Sequence, residues 1–247
     1  FASDLPPASG MSSSSALIVG TFLVLAAVNE LSATELYRRQ LGEGGLNLAA
    51  YLGTIENGQS FGDLAGDQGV GTFGGSEDHT AILCSEPRRF GQFGYCPTRF
   101  QRRIPLPPDI GLVIGDSGVV AEKTGAAQEL YNRASRRVSA IVQQWRQGSG
   151  REEVYLADIL ASDPAAADRL RGYLASSDCD PFGPDELRQR LDHFVAESGL
   201  IGPAGDALAA GDLDEFGRLV DRSQQLSGEL LGNQVAETSG LARLARQ

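Results

Sequence analysis

The segment Pro7-Ala8-Ser9-Gly10-Met11-Ser12-Ser13-Ser14-Ser15-Ala16 opens directly into an almost unbroken apolar stretch that reaches about Asn29. Nothing else in the chain constrains the fold as strongly. Apolar residues on nearly every face predict a helix buried on most sides. The stretch is too short for a bilayer span, which needs about 20 residues, and it lacks the basic flank of a signal peptide. On its N-terminal side, small residues let the backbone approach an anion closely. The free N–H groups and positive dipole end of the following helix favour such an approach. Serine hydroxyls add donors to phosphate and potential ligands to Mg2+. No Gly-Lys-Ser/Thr follows, so this is not a Walker-type phosphate loop. A flexible Ser-rich linker, or a helix cap with redundant serines, has the same composition, and residue types alone leave both readings open.

The rest of the chain is globular in composition. Its 247 residues allow two modest domains or one large one, with 41% hydrophobic and 21% charged residues. The formal net charge is −11, and Lys123 is the only lysine. An acidic chain without a basic tract is poorly suited to gripping nucleic acid or an anionic membrane surface. Cys84, Cys96 and Cys179 form no CxxC pair, which speaks against a disulfide scaffold and makes a reducing cytoplasm the default expectation. With His79 and His193 as its two histidines, the chain nearly excludes a His-based metal site. No obligate protein partner is evident.

The pattern changes along the chain. Ser32-Ala33-Thr34-Glu35 predicts a helix start with Ser32 as cap. A second helix is expected over 46–56, followed by a long Gly- and Asp-rich loop over 57–75, a length that is often functional. Thr80 to Leu83, Arg99 to Ile104 and a buried Ile110–Ile114 segment read as strands. Pro105-Leu106-Pro107-Pro108 marks a boundary. Helical pattern then dominates, over 124–147, 151–161, 164–176, 184–198, 203–209, 211–226 and 236–246, with stops at Gly148-Ser149-Gly150 and Gly199. Strands first and mostly helices later argue for an α+β chain in two lobes.

Gly74-Gly75-Ser76-Glu77-Asp78-His79 follows the long loop. Two glycines permit a tight turn against a ligand, and the adjacent carboxylate is placed to take a proton from an attacking hydroxyl. The same residues also make an ordinary turn. Glu56 on its helix reads equally as a solvent-facing residue, and Tyr131 as a tyrosine half-buried on a helix face.

A resemblance adds weight to one side. The segment from Pro7 to Ala16 is similar to the second motif of the GHMP small-molecule kinases, commonly Pro-x-x-x-Gly-Leu-Ser-Ser-Ser-Ala, with Met11 where leucine is usual. The resemblance implies that Pro7, Gly10, Met11, Ser12, Ser13, Ser14 and Ser15 wrap the phosphates of ATP, with Ser14 contacting Mg2+. Gly75-Ser76-Glu77-Asp78-His79-Thr80 resembles the galactokinase stretch Gly-x-Met-Asp-Gln, which puts the catalytic carboxylate on Asp78 and a sugar-contacting amide at Gly75. Ser76, Glu77 and His79 depart from that pattern. Glu56 resembles the helical glutamate that binds Mg2+ in the family, at a longer spacing that implies an insertion within 59–73.

The strand Ile110–Val119 and the helix carrying Glu129-Leu130-Tyr131-Asn132-Arg133 resemble a further galactokinase stretch, whose tyrosine packs on the sugar. Residues 187–197 resemble its Arg-x-x-His-x-x-x-Glu helix, in which His193 is structural. The resemblance implies a two-lobed GHMP kinase fold with an N-terminal lobe like ribosomal S5 domain 2, over 1–107, and a helix-rich C-terminal lobe over 108–247. It implies ATP-dependent phosphorylation of a monosaccharide at its C1 hydroxyl, with ATP and Mg2+ as cofactors. It also implies that the family's first motif lies before Phe1 and its Gly-rich third motif after Gln247, so that the chain is the middle of a longer protein. Rival expectations are a kinase of the same superfamily for arabinose, a uronic acid or a heptose phosphate, a sugar sensor without turnover, and a partial structural unit.

Overall fold

The structure is a computed structural model that describes residues 2–6, 9–42, 44–67, 69, 71, 73–120, 126–176 and 179–247. Pro7 lies outside the described residues. The chain divides into two units, one of Phe1–Ile110 with Gly118–Asn132, the other of Gly111–Ser117 with Arg133–Gln247. Helices predominate, with one two-stranded sheet among the described residues, which is an α+β composition. No helix of the described residues is long and apolar enough to cross a membrane.

The first unit is built on α1 (Ser13–Val28), α2 (Glu35–Gln40), α3 (Gly45–Asn57) and α4 (Glu77–Cys84). Val19 of α1, Leu41, and Leu48 and Leu52 of α3 form its core, with Phe22, Tyr37, Tyr51 and Phe61 stacked around them. The apolar stretch is helical as expected, but it is not buried on most sides. Ser15 and Val19 are its buried residues, while Leu17, Leu23, Val24, Leu25 and Val28 are exposed, because α3 and α4 cover one side of the helix. The cap of α2 is also different from expectation. Thr34, not Ser32, accepts from the Tyr37 amide, and Ser32 lies in a 3-10 turn over Leu31–Ala33.

Thr80 to Leu83 form part of α4 rather than a strand. A four-residue apolar run does not distinguish the two by period. Glu77 and Asp78 favour the positive end of a helix, and the Thr80 hydroxyl donates to the Ser76 carbonyl at 2.8 Å. Strand β2 (Arg99–Pro105) pairs antiparallel with β1 (Arg89–Gly94), with an irregularity between Gln92 and Phe93. The expected strand at Ile110–Ile114 does not form. Its backbone has no strand partner among the described residues, and Val113 is 95% exposed.

The second unit packs α5 (Ala126–Ser149, from Arg133 onward), α6 (Leu156–Ser162), α7 (Ala166–Ser176), α8 (Pro184–Ala210), α9 (Leu213–Leu226) and α10 (Ala236–Leu244). Ile141, Trp145, Ile159, Leu170, Leu174, Leu187 and Leu191 are fully or almost fully buried at its centre. The helix expected to stop at Gly199 runs on to Ala210 with Pro203 inside it, and ends at Gly211 with φ 73°. The helix expected from 151 starts at Leu156. Arg190, His193 and Glu197 tie this unit together. Arg190 donates to the Ala134 carbonyl and meets His193 Nδ1 at 2.8 Å, and Glu197 accepts from Ser223 of α9 at 2.6 Å.

Candidate functional site

The Ser-rich loop meets α1 through an unusual backbone. Gly10 has φ 79° and Ser12, at the cap position, has φ 56° and ψ 38°. A non-glycine residue in that left-handed region costs about 1–3 kcal/mol. No side chain caps α1, whose first N–H groups are the kind that bind anions. Ser14 is exposed beside them, whereas Ser15 is 1% exposed.

Both serines point at one carboxylate. Ser14 Oγ donates to Glu56 Oε1 at 2.9 Å, and Ser15 Oγ to Glu56 Oε2 at 2.9 Å. His79 Nε2 lies 3.3 Å from Glu56 Oε2. Glu56 is therefore turned inward, against the solvent-facing alternative. Its position in α3, next to the final residue Asn57, brings it to the negative end of that helix. The hydroxyls come from the positive end of α1, and the imidazole from the first turn of α4.

Asp78, half-buried, follows on the same turn of α4. It lines a shallow pocket of about 40 Å³ with Glu56, Asn57, Gly74, Gly75 and Tyr131. A typical small-molecule site holds roughly 300–1,000 Å³, and this pocket is well below that range. Glu77 lies on the same pocket, and a side chain at Gly75 would run into its carboxylate. Neither Gly74 nor Gly75 has a positive φ, so the tight turn expected there is not made by left-handed backbone. Tyr131, 43% exposed, stands with its hydroxyl 3.9 Å from where a Cβ of residue 74 would be.

The close approach of α3 and α4 depends on Gly53. A Cβ there would lie 2.9 Å from Ser76 Cβ. Two asparagines anchor the loop that delivers Asp78. Asn57 Nδ2 donates to the Gly74 carbonyl at 3.1 Å. Asn132, 4% exposed, accepts from the Phe73 amide and donates to the Gly71 carbonyl, both at 2.8 Å. Asn57, Asn132, Ser15 as a partner of Glu56, and His79 are contributors to which sequence reasoning gave no such role.

The expected residues thus fall into two groups. Gly10, Met11, Ser12 and Ser13 lie along the loop and the start of α1, with Met11 exposed. Ser14, Glu56, Gly75, Asp78 and Tyr131 are linked through hydrogen bonds or the shared pocket. Among the described residues, no three or more His, Cys, Asp or Glu side chains gather as a metal cluster. Ser14 and Glu56 offer one hydroxyl and one carboxylate. That donor set fits Mg2+, which keeps waters and phosphate oxygens and takes one or two protein oxygens.

Residues 1–65 match the family described as GHMP kinases N terminal domain. Over 229 residues the chain is 29% identical to a galactokinase of Roseiflexus sp. (strain RS-1), covering 90% of this chain and 48% of that protein. It is 28% identical over 243 residues to a galactokinase of Chloroflexus aggregans (strain MD-66 / DSM 9485), covering 98% of this chain and 53% of that one. The chain spans about half the length of the curated relatives it matches.

Proposed function

We propose that this chain, a member of the GHMP superfamily close to the galactokinases, contributes the phosphate loop and catalytic carboxylate of an ATP-dependent sugar kinase acting at the anomeric C1 hydroxyl. The observation that carries the reading is the convergence on Glu56. Ser14 of the loop hydrogen-bonds this carboxylate, which shares a pocket with Asp78. On this reading, the helix end that would receive phosphate and the carboxylate that would accept the proton lie on either side of one residue. The same reading assigns 1–107 and 108–247 to the two lobes of a GHMP kinase fold, with its sugar and ATP as small-molecule partners.

In this mechanism the N–H groups at the start of α1 and the backbone around Gly10 receive the β- and γ-phosphate oxygens, and Pro7 through Ser15 wrap them. Ser14 and Glu56 would hold Mg2+, which supplies charge neutralisation at the phosphates. Asp78 accepts the proton of the C1 hydroxyl as its oxygen bonds to the γ-phosphorus and the bond to the ADP oxygen breaks. Sugar 1-phosphate and ADP are the products. Gly75 and Tyr131 border the space for the sugar. Positioning and charge placement suffice for such a transfer.

A panel of aldoses, uronic acids and sugar phosphates tests the assignment, with ATP consumption as the rate and 31P NMR identifying the product. The expected outcome is one neutral aldose converted to its 1-phosphate. Turnover restricted to a uronic acid or a sugar phosphate would move the acceptor within the superfamily. ATP and sugar binding without turnover would make the protein a sensor.

A further inference from the structure

Glu56 occupies a position that works against its own charge. It lies in the last turn of α3, where helix carbonyls disfavour a carboxylate, yet its side chain is only 17% exposed. Two almost fully buried groups face one of its oxygens. Ser15, 1% exposed, donates to Oε2 at 2.9 Å, and the nitrogen of His79, also 1% exposed, lies 3.3 Å from the same oxygen. Oε1, by contrast, meets the exposed Ser14. The carboxylate is thus held from behind on one oxygen while the other stays with the loop.

We propose that His79 and Ser15 are positioning residues that pin Glu56 Oε2, orienting Oε1 together with Ser14 Oγ as a paired oxygen site for the cation of a metal–nucleotide complex. The inference rests on the reading of Glu56 as a Mg2+ contact and extends it to the two side-chain groups behind that carboxylate, the Ser15 hydroxyl and the His79 imidazole. It also gives a physical meaning to the departure at position 79, where the galactokinase pattern has glutamine. The Nε2 atoms of histidine and glutamine stand the same number of bonds from Cα. Either residue can therefore present a nitrogen to Glu56 from the first turn of α4, whereas an aliphatic side chain of similar size cannot. Groups that orient a metal ligand from behind typically change metal affinity by about 10–100-fold when removed.

The test is calorimetric and does not depend on turnover. ATP is titrated into the protein with Mg2+ and again with a chelator, for the wild type, His79→Leu and His79→Gln, with thermal melts as a check on folding. The wild type is expected to bind ATP more tightly with Mg2+. His79→Leu should lose about tenfold or more of that advantage, leave metal-free ATP binding within about twofold of the wild type, and remain folded, while His79→Gln should keep the advantage within about threefold. If His79→Leu fails to fold, His79→Met carries the same comparison, with the same loss expected. A His79→Leu or His79→Met protein with the full wild-type advantage would overturn the positioning role, as would a glutamine variant that loses as much as the leucine one. A wild type with no Mg2+ advantage would instead overturn the cation role of Glu56, and the proposal with it.

Discussion

His193 shows how a single side chain carries a pH signature outside the candidate site. Burial, and then the Arg190 guanidinium at its Nδ1, hold its pKa below the usual imidazole value, with Glu197 opposing more weakly. An imidazole that accepts from arginine is neutral, so the unfolded chain takes up this proton more readily than the folded one. Stability from this group is complete above the unfolded value of about 6.5 and is lost as pH falls from there toward the lower folded value. The carboxylate of Glu186 is held low by its hydrogen bond from Arg133 and by Arg137, so its contribution fades only below its ordinary 4.5. Melting temperature is therefore expected to drop as pH falls below about 6.5, and His193→Gln to flatten that slope. An unchanged slope in the variant would remove His193 from the account. At this scale the pairing of Ser14 with Glu56 was accessible through the resemblance alone, because no local pattern predicts a hydrogen bond across 42 residues. His79 was readable only as a departure from a motif, and Asn132 only as a letter within one. Their partners are backbone or carboxylate groups brought by other elements.

Elements were legible where one strong signal decided them. The apolar run, the Gly148-Ser149-Gly150 stop and the strand at 99–105 all stand where the pattern put them. Elements failed where tertiary surroundings decide. The short run at 80–83 joins a helix begun by two acidic residues, and 110–114 stays extended without a pairing partner among the described residues. β1 was missed because Gly91 and Gly94 dilute its aromatic signal, and its formation depends on pairing with β2. The contact between α3 and α4 yields a sharp expectation. Gly53→Ala places a Cβ 2.9 Å from Ser76 and should cost about 1–3 kcal/mol, more than the roughly 0.5–1 kcal/mol that alanine gains inside a helix. Gly172→Ala in α7, where a Cβ meets nothing within 4 Å, should stabilise by about 0.5–1 kcal/mol instead. Chemical denaturation of the two variants separates the effects, and equal shifts of the same sign would contradict the packing described.

For the whole molecule, the sequence carried the α+β composition and the acidic character, while the geometry brought the loop, Glu56 and Asp78 together. On the proposed kinase reading, the carboxylate-rich pocket, with Glu56, Glu77 and Asp78 on it, and a net charge of −11 favour a neutral acceptor over an anionic one. The role of Asp78 is central to this chemistry. The most direct measurement is kcat of Asp78→Asn against the wild type on the accepted sugar, with circular dichroism and ATP affinity as controls. At least about a 100-fold loss of kcat is expected, with fold and ATP binding retained. A variant that folds, binds ATP and keeps near-normal kcat would contradict that role.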